Sequence, residues 1–225
     1  MKILLLNFLI LVPISLFSQV TNKLEVSDTI INVKKKLITE LGDEMANRFA
    51  HLDSMKSKIS FGLLSLENTL ITNKKGNTHK LASMCQCRII EGQLEIANAI
   101  GFMAGIANVI KIDISDSTYQ TMLTYNTDGV KSHKFNPQDE FIEDIEVEIP
   151  KPKLILSQDS KFVHNATIKG ILIGNTIDYY EQNNTQSGIE KVQMKVRSIF
   201  ECKLIDYDKM LLEMKKKQEL EEKGN

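Results

Sequence analysis

A chain of 225 residues with 28 Lys and Arg against 29 Asp and Glu is almost neutral, and no basic block stands out from that balance. Nucleic-acid binding draws much of its strength from neutralised phosphates, so this composition argues against it. The length suffices for one sizeable core with an appended helical segment, and the chain has no tryptophan to serve as a flat stacking platform.

The N-terminus reads as a secretory leader. Lys2 supplies a short positive start, Ile3 to Phe17 is almost entirely apolar, and Ser18 is a small residue ahead of Gln19. The apolar run is near the short end for a membrane span, so cleavage after residue 18 is expected. The mature chain is then exported, periplasmic or secreted, with no transmembrane segment to follow.

From Val26 to about Leu70 apolar residues recur at intervals of three and four, among them Ile30, Val33, Leu37, Leu41, Met45, Phe49, Leu52, Met55, Ile59, Leu63, Leu66 and Leu70. That spacing predicts an amphipathic helical segment over 19–78, either one long helix or two broken near Gly42 or Gly62. Its apolar stripe must be buried, against the rest of the chain, against another copy or against a protein partner.

After Lys80 the period changes to two. "VIKIDIS" alternates Ile110, Ile112 and Ile114 with Lys111 and Asp113, and "NTDG" at 126–129 offers a turn. "IEDIEVEIPKPKLIL" alternates Ile145, Val147 and Ile149 with Asp144, Glu146 and Glu148. Pro150 and Pro152 then mark an edge or a crossing, because proline cannot donate to a ladder. The clearest strand places Val192, Met194, Val196, Ser198, Phe200, Cys202 and Leu204 on one face. Seven or eight such strands over 79–205 predict an antiparallel sandwich or open barrel, and 206–225 predicts a short charged helix or tail. The expected class is therefore α+β.

The sharpest chemical question lies in "ASMCQCRIIEG". On a strand Cys85, Cys87 and Ile89 share one face, and Cys202 sits on the apolar face of the last strand. An extended strand holds Cys85 and Cys87 about 6.5–7 Å apart, too far for good disulfide geometry. In an oxidising compartment the expected bond joins Cys202 to Cys87, or alternatively to Cys85. Buried free thiols stand level with that bond as a reading of all three cysteines, and a metal site is a third reading that lacks a fourth ligand in sequence.

Other groups read blandly. His51, His79, His133 and His164 are scattered without metal-ligand spacing. The acidic run from Asp139 to Glu148 alternates with Ile142, Ile145 and Val147, as the wet face of a strand does. Tyr179 and Tyr180 must point to opposite faces. No catalytic, cofactor-binding or metal residues are assigned, and no cofactor is expected. The functional expectation is an exported, non-enzymatic binding or interaction protein of the bacterial envelope. The alternative is binding of a lipid or apolar small molecule inside the β domain.

Overall fold

A computed structural model describes residues 22–27, 30–42, 47, 60–70, 78–100, 107–157, 162–183 and 188–223. In chain order the elements are β1 (Asn22–Lys23), β2 (Glu25–Val26), α1 (Ile30–Leu41), β3 (Phe61–Asn68), β4 (Thr78–Ile90), β5 (Gln93–Ile100), β6 (Ala107–Ser115) and β7 (Thr118–Asn126). There follow β8 (His133–Lys134), β9 (Ile145–Glu148), β10 (Lys153–Leu156), β11 (Thr167–Asn175), β12 (Tyr179–Asn183), β13 (Gly188–Val192), β14 (Met194–Asp206) and α2 (Tyr207–Lys223). The expected leader at 1–18 lies outside the described residues.

The architecture corrects the α+β expectation. The chain is mostly β, and eleven strands form one sheet in the order β1-β7-β6-β5-β4-β3-β14-β11-β10-β2, with β9 on β7. A second sheet, β13-β12-β8, brings three more. Among the described residues the predicted helical segment does not run through 61–68. α1 spans twelve residues, and Phe61–Asn68 is a strand in the middle of the large sheet, paired with β14 on one side and β4 on the other. Leu63, Leu64, Ser65 and Leu66 are all within 1% of complete burial, so both faces of β3 are covered. A strand buried on both faces loses the alternation that distinguishes it from a buried helix, and its spacing of leucines mimics the helical period.

The large sheet curls into a nearly closed barrel. Four successive strands, β4 to β7, are joined as antiparallel neighbours. Ile90 and Gln93 pair across a two-residue turn in which Glu91 and Gly92 both have positive φ, 53° and 74°. That is the geometry whose twist matches the flanking strands, and glycine accepts it without strain.

Closure depends on the proline pair. β9 lies on β7, with Tyr125 opposite Ile145. After Pro150–Pro152 the chain leaves β7, and β10 pairs instead with β11, with Leu156 opposite Gly170. The gap so opened is filled by the N-terminal segment, where β1 pairs with the start of β7 and β2 lies parallel to β10. Tyr119 bridges the same gap, its hydroxyl donating to the Pro152 carbonyl at 2.8 Å and accepting from the Leu154 amide at 3.0 Å.

The interior-facing side chains of the strands, Leu64, Leu66, Ile96, Ile110, Ile112 and Leu123 among them, form one contiguous buried cluster that includes Tyr179 and Val192 of the small sheet. At about 1.5–3 kcal/mol for each fully buried aliphatic side chain, this cluster supplies the main drive for folding. The interior of this ten-strand path is occupied by the chain's own buried side chains.

Candidate functional site

The topology gathers all three cysteines in one place. β3 begins at Phe61, which faces Met84 on β4 and Glu201 on β14. Beyond that point nothing separates β4 from β14, and the two strands meet directly in parallel register with Leu204 opposite Cys87. Ser60 fills the fork: its carbonyl accepts from the Cys85 amide at 3.4 Å and its hydroxyl from the Lys203 amide at 3.0 Å.

Where the strands converge, Cys87 and Cys202 are joined by a disulfide, with their Cα atoms 5.8 Å apart. Cys85 remains a buried free thiol. The three sulfurs lie within 4.8 Å of one another, so the sequence alternatives for Cys202, Cys87 or Cys85, are neighbours in space. Burial alone pushes the Cys85 thiol far above its ordinary pKa, which holds it protonated and weakly nucleophilic.

A second buried cluster sits where the small sheet meets the end of β7. His133 on β8 stacks on Tyr125 with ring centroids 5.2 Å apart, and Tyr179 on β12 lies 5.7 Å from Tyr125. The Tyr179 hydroxyl donates to Glu181 Oε1 at 3.0 Å, and His133 Nε2 lies 3.5 Å from the same oxygen. The other ring nitrogen of His133 is 3.1 Å from Ser132 Oγ. Burial raises the phenol pKa values of both Tyr125 and Tyr179, so each is held neutral. Next to them Lys134 is buried, its ammonium donating to the Pro137 carbonyl at 2.6 Å and standing 4.5 Å above the Phe141 ring.

Sequence reasoning left His133 among scattered histidines and Tyr179 on a strand, and did not bring them together. Their contact depends on β8 pairing with β12 and on both strands meeting β7. The one available signal is parity: Tyr125 continues the alternate positions of β7, Tyr119, Thr121 and Leu123, which all face inward.

The remaining polar groups divide cleanly. Inside the barrel Asn98 is fully buried and donates to Ser198 Oγ at 2.8 Å. It occupies the space a side chain at Gly62 would need, because a Cβ there would come within 2.8 Å of its amide and 2.6 Å of the Ile199 carbonyl. On the outside, Asp139 accepts from the Asn136 backbone and side-chain amides, and Glu146 is exposed between buried Ile145 and Val147. His164 accepts from the Asp206 amide at 3.1 Å, while His51 lies outside the described residues. A shallow cleft of about 250 Å³ opens at the β6–β7 hairpin, lined by Gln93, Asp113, Ser115, Thr118, Tyr119 and Gln120. Partial burial raises the Asp113 carboxyl above its ordinary value, against the opposing pull of Lys111.

These features define a packed, disulfide-linked β-barrel with a small accessory sheet and a protruding C-terminal helix. No family model, no curated protein and no solved structure matches the chain.

Proposed function

We propose that the chain is an exported, non-enzymatic interaction protein of the bacterial envelope, and that it engages a protein partner through α2 and the adjoining rim of the barrel. The observation that carries this reading is the exposed apolar surface there. Met210, Leu211, Leu212 and Met214 are 40–56% exposed, and Ile90, Ile205 and Tyr207 are exposed beside them. Clustered exposure of large apolar side chains on one short element is a common mark of a contact site.

The helix is anchored rather than loose at its start. The Asp206 carboxylate caps it by accepting from the Lys209 amide at 2.8 Å, and Asp208 accepts from the Glu91 and Gly92 amides of the β4–β5 turn. With Asp208 so engaged, Lys209, Lys215 and Lys216 outnumber Glu213 around the apolar residues, which suits a partner groove with an acidic rim. Two further facts favour a surface role over catalysis within the barrel. The interior is occupied by a contiguous cluster of the chain's own side chains, and its buried Cys85, Tyr125 and Tyr179 are held in their neutral forms. Among the described residues no helix is long and apolar enough to cross a membrane.

The test is a photo-crosslinking residue placed at Leu211 of the full chain in cells, with Lys111 on the barrel wall as control. A discrete protein adduct from position 211, lost on adding Leu212→Asp, is the expected result. Adducts identical from both positions, or none from 211, would overturn the reading. An adduct containing two copies of the chain would replace the acidic-rimmed partner with self-association.

A further inference from the structure

The three-sulfur cluster has a use that the disulfide masks. We propose that, once the Cys87–Cys202 bond is reduced, Cys85, Cys87 and Cys202 form a three-coordinate binding site for a trivalent thiophilic ion, for which trivalent arsenic is the fitting probe. This rests on the barrel core and is independent of the reading of α2.

Geometry comes first. Thiolate sulfurs about 2.3 Å from one soft ion stand about 4 Å apart or closer, so sulfurs already within 4.8 Å of one another need only small shifts. The arrangement is set by backbone: strand parity aims Cys85 and Cys87 inward, and the convergence of β4 with β14 brings in Cys202.

Ligand number comes next. The cluster offers three sulfurs, and among the described residues no His, Asp or Glu completes it as a fourth. Zinc prefers four ligands in a closed structural site, whereas a trivalent ion with a lone pair is satisfied by three.

Charge decides between soft ions. Cys87 faces Ile96 and Leu204, and Cys202 faces Ile168, each of these neighbours being fully buried. A net charge left among them is costly. Three thiolates around a cuprous ion would leave two negative charges, and around zinc one. Around a trivalent ion they leave none.

The chemistry balances. A phosphine reductant becomes its oxide with the oxygen of one water, and the two hydrogens of that water go to the sulfurs of Cys87 and Cys202. Each of the three thiols then displaces one hydroxyl of arsenous acid as water, so that three As–S bonds replace three As–O bonds with no change of oxidation state. Reactants and product of this second step are neutral, in keeping with the apolar neighbours of the cluster.

The test uses the full chain reduced with a phosphine, its fold checked by circular dichroism, and incubated with arsenite. Native mass spectrometry should show one arsenic gained and three hydrogens lost per chain. Peptide-level alkylation should find all three thiols protected, and the unreduced protein should take up none. Losing outer-sphere partners already costs a metal site about 10–100-fold, so Cys85→Ser should weaken uptake by at least about tenfold. The proposal is overturned if only Cys87 and Cys202 are protected in the loaded wild-type chain, or if the unreduced protein binds equally. Since the alkylation map needs no variant, it decides the matter even if Cys85→Ser fails to fold.

Discussion

Along β4, β5 and β6 the outer face of the barrel carries Arg88, Glu95, Lys111 and Asp113, with Glu95 paired to both Arg88 and Lys111 and Lys111 3.4 Å from Asp113. Along β10, β11, β14 and β3 the same face carries Ile155, Ile171, Ile199 and Leu63, directly opposite one another and all buried. One arc of the wall is therefore a sheet with a single buried face, and the other is buried on both sides. α1 lies against β11 on the covered arc. The wet arc stands on its inner packing alone, whereas the covered arc must also satisfy whatever packs over it, so equivalent substitutions should cost very different amounts in the two.

The largest effect should come from a charge on the covered arc. Ile199→Asp places a carboxylate between Ile171 and Leu63, and should cost about 4 kcal/mol or more, read as a collapse of the urea midpoint or loss of the folded chain. Next comes the disulfide, which pins β14 of the covered arc to β4 of the wet one. Cys202→Ser removes both possible bridges and opens a loop of 115 residues, for an expected loss of about 3–5 kcal/mol by chemical denaturation. Gly62→Ala drives a methyl toward the Ile199 carbonyl and the Asn98 amide, and should cost about 1–3 kcal/mol on the same assay. Tyr119→Phe leaves the Leu154 amide without its partner at the seam and should also cost about 1–3 kcal/mol, with a local rise in amide exchange at Leu154. Smallest is the wet arc itself, where Lys111→Ala, at an exposed ion pair, should change stability by no more than about 0.5 kcal/mol.

The difference between the arcs also explains what could be read from sequence. β14 was legible because Met194, Val196, Ser198, Phe200, Cys202 and Leu204 alternate with Lys195, Arg197 and Lys203. Pro150 and Pro152 were legible as a crossing because their missing donors forbid a continuous ladder, and β9 and β10 do pair with different strands on either side of them. β3 was not legible. Its outward Leu63 and Ser65 are as buried as its inward Leu64 and Leu66, so a strand at the centre of the sheet carries the leucine spacing of a helix. The sulfur cluster was approachable through parity, since Cys85, Cys87 and Cys202 all fall on inward positions. The Tyr125–His133–Tyr179–Glu181 cluster was not, because it forms only when the distant β12 pairs with β8 beside the end of β7.

That second cluster has its own signature in pH. Burial raises the pKa values of Tyr125 and Tyr179 above the ordinary phenol value near 10. The stability that comes from keeping them neutral is full below about pH 10 and is lost as pH climbs from there toward the raised folded values, because the unfolded phenols ionise first. The slope is at most about 1.4 kcal/mol per pH unit for each group, and Tyr125→Phe should flatten it by one group's share.

Amide hydrogen exchange on the full chain tests the central claim, that Phe61–Asn68 is an inner strand of the covered arc rather than the end of a helix. The account predicts that these amides, paired within a strand flanked by β14 and β4, are among the slowest in the molecule and far slower than those of α2. Exchange across 61–68 as fast as that of α2 would contradict it.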